Sequence, residues 1–367
     1  MAFVPDPLPR EMPLSPSLIL QLDNATRAVA TLVGVGETLP NPSLLILPFM
    51  AREAVLSSRI EGTQASLSDL FRYEASGRRR PHGDVLEVQN YVRALREGLR
   101  LLETLPLSVR LLNRTHEVLM QGVRGGERSP GRFRDEQNWI GPDGAAIADA
   151  RYIPPPPQAV WDGIGDLERF ANQDLAIPPL ITCGMLHYQF EAIHPYFDGN
   201  GRIGRLLVIL YLTAQQVLPT PLLYLSAYFE RDRGQYYDQL LALSTTGDWE
   251  TWLAYFLRGV AEQATDALER TRRIRELRDR YHALLTERHE SANALRVVDG
   301  LFAAPYMTAP RAARLLGVTN PGARGILDRL VEAEILVFIP DAWPRLYVAD
   351  ELLETIGDDP PEAALGG

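Results

Sequence analysis

Lysine is absent: all 37 basic residues of the 367-residue chain are arginine. A Walker A phosphate loop, a Schiff-base lysine and a lysine nucleophile are therefore excluded. Cys183 is the only cysteine, so the chain can form no intramolecular disulfide and no thiolate metal cluster. Cys183 reads as a small core residue, and a reducing, cytoplasmic location is the expectation. Six histidines include no His-x-x-x-His pair suited to zinc; His187 reads as a packed or capping residue. No uninterrupted apolar run reaches the roughly 18 residues of a membrane span. The proline-rich first 16 residues lack the apolar stretch of a signal peptide. With a net charge of −10, broad binding to nucleic acid or anionic membranes is not expected.

What remains is a globular composition, 46% hydrophobic and 23% charged, in a chain long enough for more than one domain. Helical spacing dominates. Ser15-Pro16 reads as a helix start, and Leu18, Leu22, Ala25, Val29 and Leu32 follow at helical intervals until Gly34 closes the run. A helix after Pro42 should end near Glu61-Gly62. Helices over 66–75, 85–103 and 108–121 complete an all-helical first third. Residues 122–157 differ: they are glycine-rich, close on Pro154 to Pro157, and read as a β-hairpin with its loop at Gly141 to Gly144. Helices then resume over 158–172, 178–193, 202–217 and 226–244. A long one over 248–289, with its arginines interleaved with acids, reads as a solvated connector. From Ala309 the order helix, turn, helix, strand, loop, strand is that of a winged helix.

The chemistry concentrates in twelve residues, His194-Pro195-Tyr196-Phe197-Asp198-Gly199-Asn200-Gly201-Arg202-Ile203-Gly204-Arg205. Pro195 stops the preceding helix and leaves His194 at a helix–loop junction. Gly199, Asn200 and Gly201 tolerate positive φ, so their N–H groups can form an anion-binding nest. A helix starting near Arg202 adds the positive end of its dipole. Arg202 and Arg205 share a face of its first turn. Together they make a polyphosphate cradle without lysine. Asp198 supplies a hard oxygen of the kind Mg²⁺ uses beside phosphates. His194 can take a proton from a hydroxyl.

This segment resembles the signature of the Fic family at every defined position but one: Tyr196 stands where phenylalanine is usual. The resemblance implies a mostly α Fic-fold core with a β-hairpin flap. It also implies transfer of AMP from ATP to a hydroxyl of a target protein, with Mg²⁺. It makes His194 the general base and Asp198 the metal ligand, with Gly199, Asn200, Gly201, Arg202 and Arg205 as phosphate binders. Gly131-x-Phe133-Arg134 and the hairpin to Pro157 resemble the flap that holds a target by strand addition. Tyr236, Tyr237 and Ser244 resemble the adenine-side helix, although an aromatic pair there also fits a plain helix core.

Ser57-Ser58-Arg59-Ile60-Glu61-Gly62 is similar to the family's inhibitory motif in its N-terminal, class II arrangement. Glu61 would then pair bidentately with Arg205 where the γ-phosphate belongs, and Ser57 would orient Glu61. The expected organisation is an inhibitory helical region (1–105), a Fic core (106–247), a connector helix (248–289), a winged-helix-like domain (290–357) and a tail (358–367). The partner implied is a protein bearing a Ser, Thr or Tyr hydroxyl. Self-modification and a homodimer are compatible with it. Two other readings stay open: AMP removal, or transfer of another nucleotide or a phosphate, on the same fold; and a transcription regulator with a Fic sensor core. Residues 291–350 carry six arginines against six acids, a poor balance for phosphate-driven DNA binding.

Overall fold

A computed structural model describes residues 2–37, 43–76, 83–142, 144, 146–340 and 342–357. Asp143, within the loop expected of the hairpin, and the tail over 358–367 lie outside them.

The first half is helical as its spacing predicts: α1 (Pro16–Glu37), α2 (Ser43–Ile60), α3 (Leu67–Ser76), α4 (Asp84–Leu102) and α5 (Val109–Leu119). The Ser15 hydroxyl caps α1 by accepting the Leu18 N–H at 3.2 Å. Gly34 does not end this helix, which runs three residues further. A mid-helix glycine costs only about 1 kcal/mol, and the buried stripe continues to Gly36, where a Cβ would stand 3.2 Å from Leu222.

Next come α6 (Pro157–Ala171), α7 (Pro179–Ile193) and α8 (Asn200–Ala214). α7 is buried on nearly every side, the signature of a central helix, and α8 packs against it. His187 and Cys183 lie in this interior. The segment expected as one helix over 226–244 is two, α9 (Ser226–Arg231) and α10 (Arg233–Thr246). Asp232 breaks the run and caps α10, accepting the Gln235 N–H at 2.9 Å.

The hairpin is much reduced. Ile140 and Tyr152 exchange both backbone bonds, at 2.8 and 3.1 Å, but they form an isolated bridge rather than two strands. A short 3₁₀ turn, Ile147–Asp149, lies between them. Pro142 and Pro154 to Pro157 have no N–H to extend the ladder. Beyond the bridge, the Ile153 carbonyl accepts from Phe3 N–H at 2.8 Å.

α11 (Trp249–Glu287) is continuous over 39 residues, but it is not a solvated rod. Ala264, Ala267, Thr271, Ile274, Leu277, Tyr281 and Leu285 form a buried stripe at helical spacing, and α1 packs along the helix. After it come α12 (Ala292–Ala303), β1 (Tyr306–Thr308), α13 (Ala309–Leu316), α14 (Asn320–Glu332), β2 (Val337–Ile339), β3 (Leu346–Val348) and α15 (Asp350–Ile356). The three strands are antiparallel in the order β1-β3-β2, with Tyr306 opposite Val348 and Phe338 opposite Tyr347. The sequence reading did not include α12, β1 and α15. Arg270 of α11 is buried and donates to the carbonyls of Ile356 and Gly357 at 3.3 and 3.4 Å, at the negative end of α15. α12 rests on α2 and α11, and α3 rests on β1, so this region shares one core with the rest.

Candidate active site

α7 ends because Pro195 follows it. His194 takes the left-handed conformation (φ 50°), with its N–H on the Phe190 carbonyl at 3.0 Å. Arg134 holds this end from outside: its Nε donates to the His194 carbonyl at 2.9 Å, and its own N–H donates to Pro195 O at 2.9 Å. Burial lowers the Arg134 pKa to about 10, which leaves it charged at neutral pH.

The loop to α8 is tied from inside. Asn200 Oδ1 accepts the Tyr196 N–H and its Nδ2 donates to the Tyr196 carbonyl, both at 2.8 Å. The Asn200 side chain is therefore a loop clamp, and only its backbone remains for an anion. The Tyr196 ring stacks on His116 at 3.8 Å, and its hydroxyl donates to Asn113 Oδ1 at 2.8 Å. The extra hydroxyl, relative to phenylalanine, thus has its own partner. His116 Nδ1 accepts the Gly131 N–H at 2.8 Å, so Nε2 carries the proton and donates to Asp198 O at 3.0 Å. Sequence reasoning missed His116, Asn113 and the clamping role of Arg134. Their signal is spatial: each lies at least 60 residues from the segment it supports. Asn200→Ala should strand the buried Tyr196 N–H, while the Tyr196 carbonyl keeps the Asn138 amide at 3.1 Å, and lower stability by about 1–3 kcal/mol. Urea unfolding should show a lower midpoint at unchanged slope.

A cavity of about 690 Å³ opens on this loop. Its lining includes Glu61, Glu191, His194, Asp198, Gly201, Arg205, Tyr236, Tyr237 and Ser244. Burial, reinforced by the Arg134 charge, lowers the His194 pKa to about 4, so the ring is neutral near pH 7. The Glu191 backbone carbonyl lies close to the ring, although Nδ1 makes no hydrogen bond of ordinary geometry. A carbonyl only accepts, so the ring nitrogen that faces it carries the proton and the other keeps the lone pair.

α8 begins at Asn200 behind Gly199 (φ 76°), and no side chain caps it. Its first-turn N–H groups are open to an anion. Glu61 lies there: an ideal Cβ on Gly201 would stand 2.3 Å from its Oε1. The same oxygen accepts from Arg205 at 2.6 Å. This is a single contact, not the bidentate pair expected. Burial alone would raise the Glu61 pKa, but the charge and hydrogen bond of Arg205 outweigh it and hold the carboxylate below its usual range. Ser57 acts on the arginine rather than on Glu61: its Oγ accepts from Arg205 Nε at 2.8 Å and its carbonyl from the terminal nitrogen at 2.9 Å. The other terminal nitrogen of Arg205 is buried and unpartnered.

Arg202 is not with Arg205 on the cavity. It is buried, 3.2 Å from Glu87 and 3.5 Å from Asp198. Asp198 lines the cavity with its carboxylate 42% exposed, and its Oδ1 accepts the Gly199 N–H at 2.5 Å. One accessible carboxylate beside a phosphate site is a donor set that suits Mg²⁺. Among the described residues no group of three or more acidic, histidine or cysteine side chains could hold a metal alone, so phosphate and water would complete the shell.

At the far end, Ser244 Oγ meets the Tyr188 hydroxyl at 3.0 Å. Tyr236 is buried, and its hydroxyl lies 2.9 Å from His187 Nε2. His187 Nδ1 faces the Gly204 carbonyl at 2.9 Å and must donate to it. Nε2 of this neutral ring then accepts, so Tyr236 donates. Tyr237, Leu240 and Leu241 complete the wall.

Comparison with known proteins identifies the family and the fold. The Fic/DOC family N-terminal profile matches residues 19–100 and the Fic/DOC family profile residues 106–212, together just over half the chain. Protein adenylyltransferase fic-1 of Caenorhabditis elegans is 26% identical over 193 residues, 52% of this chain and 34% of that protein. A probable protein adenylyltransferase of Aquifex aeolicus is 33% identical over 92 residues, 24% of this chain and 29% of that one. The chain thus spans about a third of the length of these curated relatives. A Fic family protein from Desulfovibrio desulfuricans G20 superposes with a TM-score of 0.61 at 19% identity, covering 93% of this chain and 98% of that one. Fic-1 of Caenorhabditis elegans gives 0.52 at 20%, covering 70% and 74%. At these identities the two structures show a shared fold. Among the described residues no helix is long and apolar enough to cross a membrane.

Proposed function

The chain belongs to the Fic/DOC family, and on that premise we propose that it moves AMP from ATP to a Ser, Thr or Tyr hydroxyl of a target protein, with Glu61 as a built-in brake. The observation that carries this reading is the meeting of a neutral histidine, an uncapped helix N-terminus and an incompletely paired arginine in one cavity. In this reading the His194 nitrogen that keeps the lone pair takes the proton of the target hydroxyl. The hydroxyl oxygen bonds to the α-phosphorus, and the bond to pyrophosphate breaks. The first turn of α8 and Arg205 hold the phosphates. Asp198 would hold Mg²⁺, which would neutralise charge on the leaving group. Tyr237, Leu240 and Ser244 suit the base, and residues near the Ile140–Tyr152 bridge suit a target segment.

The brake reading rests on Glu61 lying at the anion position of α8 with its charge on Arg205. It is favoured over AMP removal because a carboxylate with a depressed pKa is a weak general base at neutral pH. The regulator reading has less support. Arg324 and Arg329, the arginines of α14, already face Asp328 and Glu290 at 3.7 and 3.0 Å. The helix order and the strand order β1-β3-β2 support a winged-helix reading of this region, which we assign to partner selection.

ATP labelled at the α- or γ-phosphate separates the reactions. Transfer of AMP puts α-label on protein and leaves γ-label in pyrophosphate. Covalent γ-label would mean phosphate transfer instead, and GTP preferred over ATP would reassign the nucleotide.

A further inference from the structure

Every residue of α7 from Leu180 to Ile193 is buried except Glu191. Its Oε1 is nevertheless enclosed and has no hydrogen-bond partner. The carboxyl lies on bare backbone of α8, because an ideal Cβ on Gly204 would stand 2.1 Å from Oε1. Glycine at 204 therefore provides the seat on which the carboxyl rests. Burial pushes the Glu191 pKa up to about 8, against the pull of Arg205. Near neutral pH the group is mostly protonated, so it can donate as well as accept. The site as described above leaves this carboxyl without a task.

Its place along α7 suggests one. Tyr188, Glu191 and His194 follow at intervals of three residues, each about 4.5 Å further along the axis. At the level of Tyr188 the wall is Ser244 and Leu240, the end suited to a base. At the level of His194 it is Glu61, whose charge acts on the ring and whose Oε1 lies on Gly201, the end suited to phosphate. Glu191 stands between them. In a nucleotide the group between base and phosphate is the sugar, whose 2′- and 3′-hydroxyls both donate and accept.

We propose that Glu191 receives the ribose hydroxyls of the bound nucleotide and lets this site select ribonucleotides over deoxyribonucleotides. The proposal rests on the nucleotide reading above and gives Glu191 a binding role, with no part in proton transfer.

Isothermal titration with ATP, 2′-deoxy-ATP and 2′,3′-dideoxy-ATP tests it in the His194→Ala protein, where turnover does not interfere. That parent should bind ATP about tenfold more tightly than the dideoxy analogue, the scale of one good hydrogen bond. Glu191→Ala should bring the ratio to about one, and Glu191→Gln should keep most of it, since an amide also donates and accepts. Gly204→Ala, which unseats the carboxyl without removing it, should lower the ratio as well; it decides the matter should Glu191→Ala fail to fold. An unchanged ratio in Glu191→Ala, or equal binding of ATP and the dideoxy analogue by the parent, overturns the role of Glu191 and leaves the nucleotide reading standing. No binding of any nucleotide by the parent or by the Glu61→Gly protein overturns both.

Discussion

Replacing His194 with alanine is expected to slow AMP transfer by about 10²–10⁴-fold, the range general-base catalysis supplies, while ATP binding persists. The two effects separate because the phosphate-holding parts, the α8 N-terminus and Arg205, do not depend on the imidazole. The ring is positioned by backbone: the α7 end, Pro195 and the Arg134 clamp stay when the side chain goes. The pH dependence follows from the lowered pKa. A His194 pKa near 4 keeps the ring neutral, and able to accept a proton, above about pH 5. Transfer should therefore fall as pH drops through about 4, and the acid limb of kcat/KM, which reports the free enzyme, should lie well below the usual histidine value of about 6.5. An acid limb near 6.5 would mean that the ring is solvated and the buried geometry is wrong.

Glu61→Gly is expected to raise transfer on the order of 10²-fold, the cost assigned to a misplaced reacting group. Removing the carboxylate frees the first turn of α8 and one N–H of the Arg205 terminal nitrogen that the Ser57 carbonyl also holds. Ser57 still grips that arginine through Nε and its terminal nitrogen, so the guanidinium stays poised rather than swinging away. This sharpens the test: Ser57→Ala in the Glu61→Gly background should lose part of the gain, and Arg205→Ala should lose nearly all of it. Comparing initial rates of α-label incorporation at saturating ATP checks both. A Glu61→Gly protein no faster than wild type would remove the brake. One that had lost only AMP removal would point to Glu61 as a base for water.

The catalytic segment was legible because its chemistry is local. Histidine, acid, glycines and arginines lie within twelve residues, and Pro195 and Gly199 fix the turn between two helices. The pairing of Glu61 with Arg205 was legible only through resemblance, since 144 residues separate them. The direction of Ser57, onto the arginine, depends on how α2 crosses α8 and is not written in the motif. Arg202 and Arg205 share a helix face by spacing, yet Glu87 from α4 draws Arg202 away from the cavity. Glu191 escaped notice because a lone acid in an apolar helix has no sequence pattern. The hairpin was over-read: strand-like residues lay between prolines that leave a ladder only one bridge long. α12 was overlooked although Ser291 caps it and Val297, Val298, Leu301 and Phe302 are buried.

Intact-mass spectrometry after incubation with ATP and Mg²⁺ tests the central claim most directly, applied to wild type, Glu61→Gly and Glu61→Gly/His194→Ala side by side. The account predicts little change in wild type, addition of whole adenylyl groups to Glu61→Gly, and none to the double variant, with target protein added if self-modification is slow. Adenylyl addition that persists at the same rate without His194, or its absence from Glu61→Gly in the presence of bound ATP and a range of candidate protein targets, would contradict it.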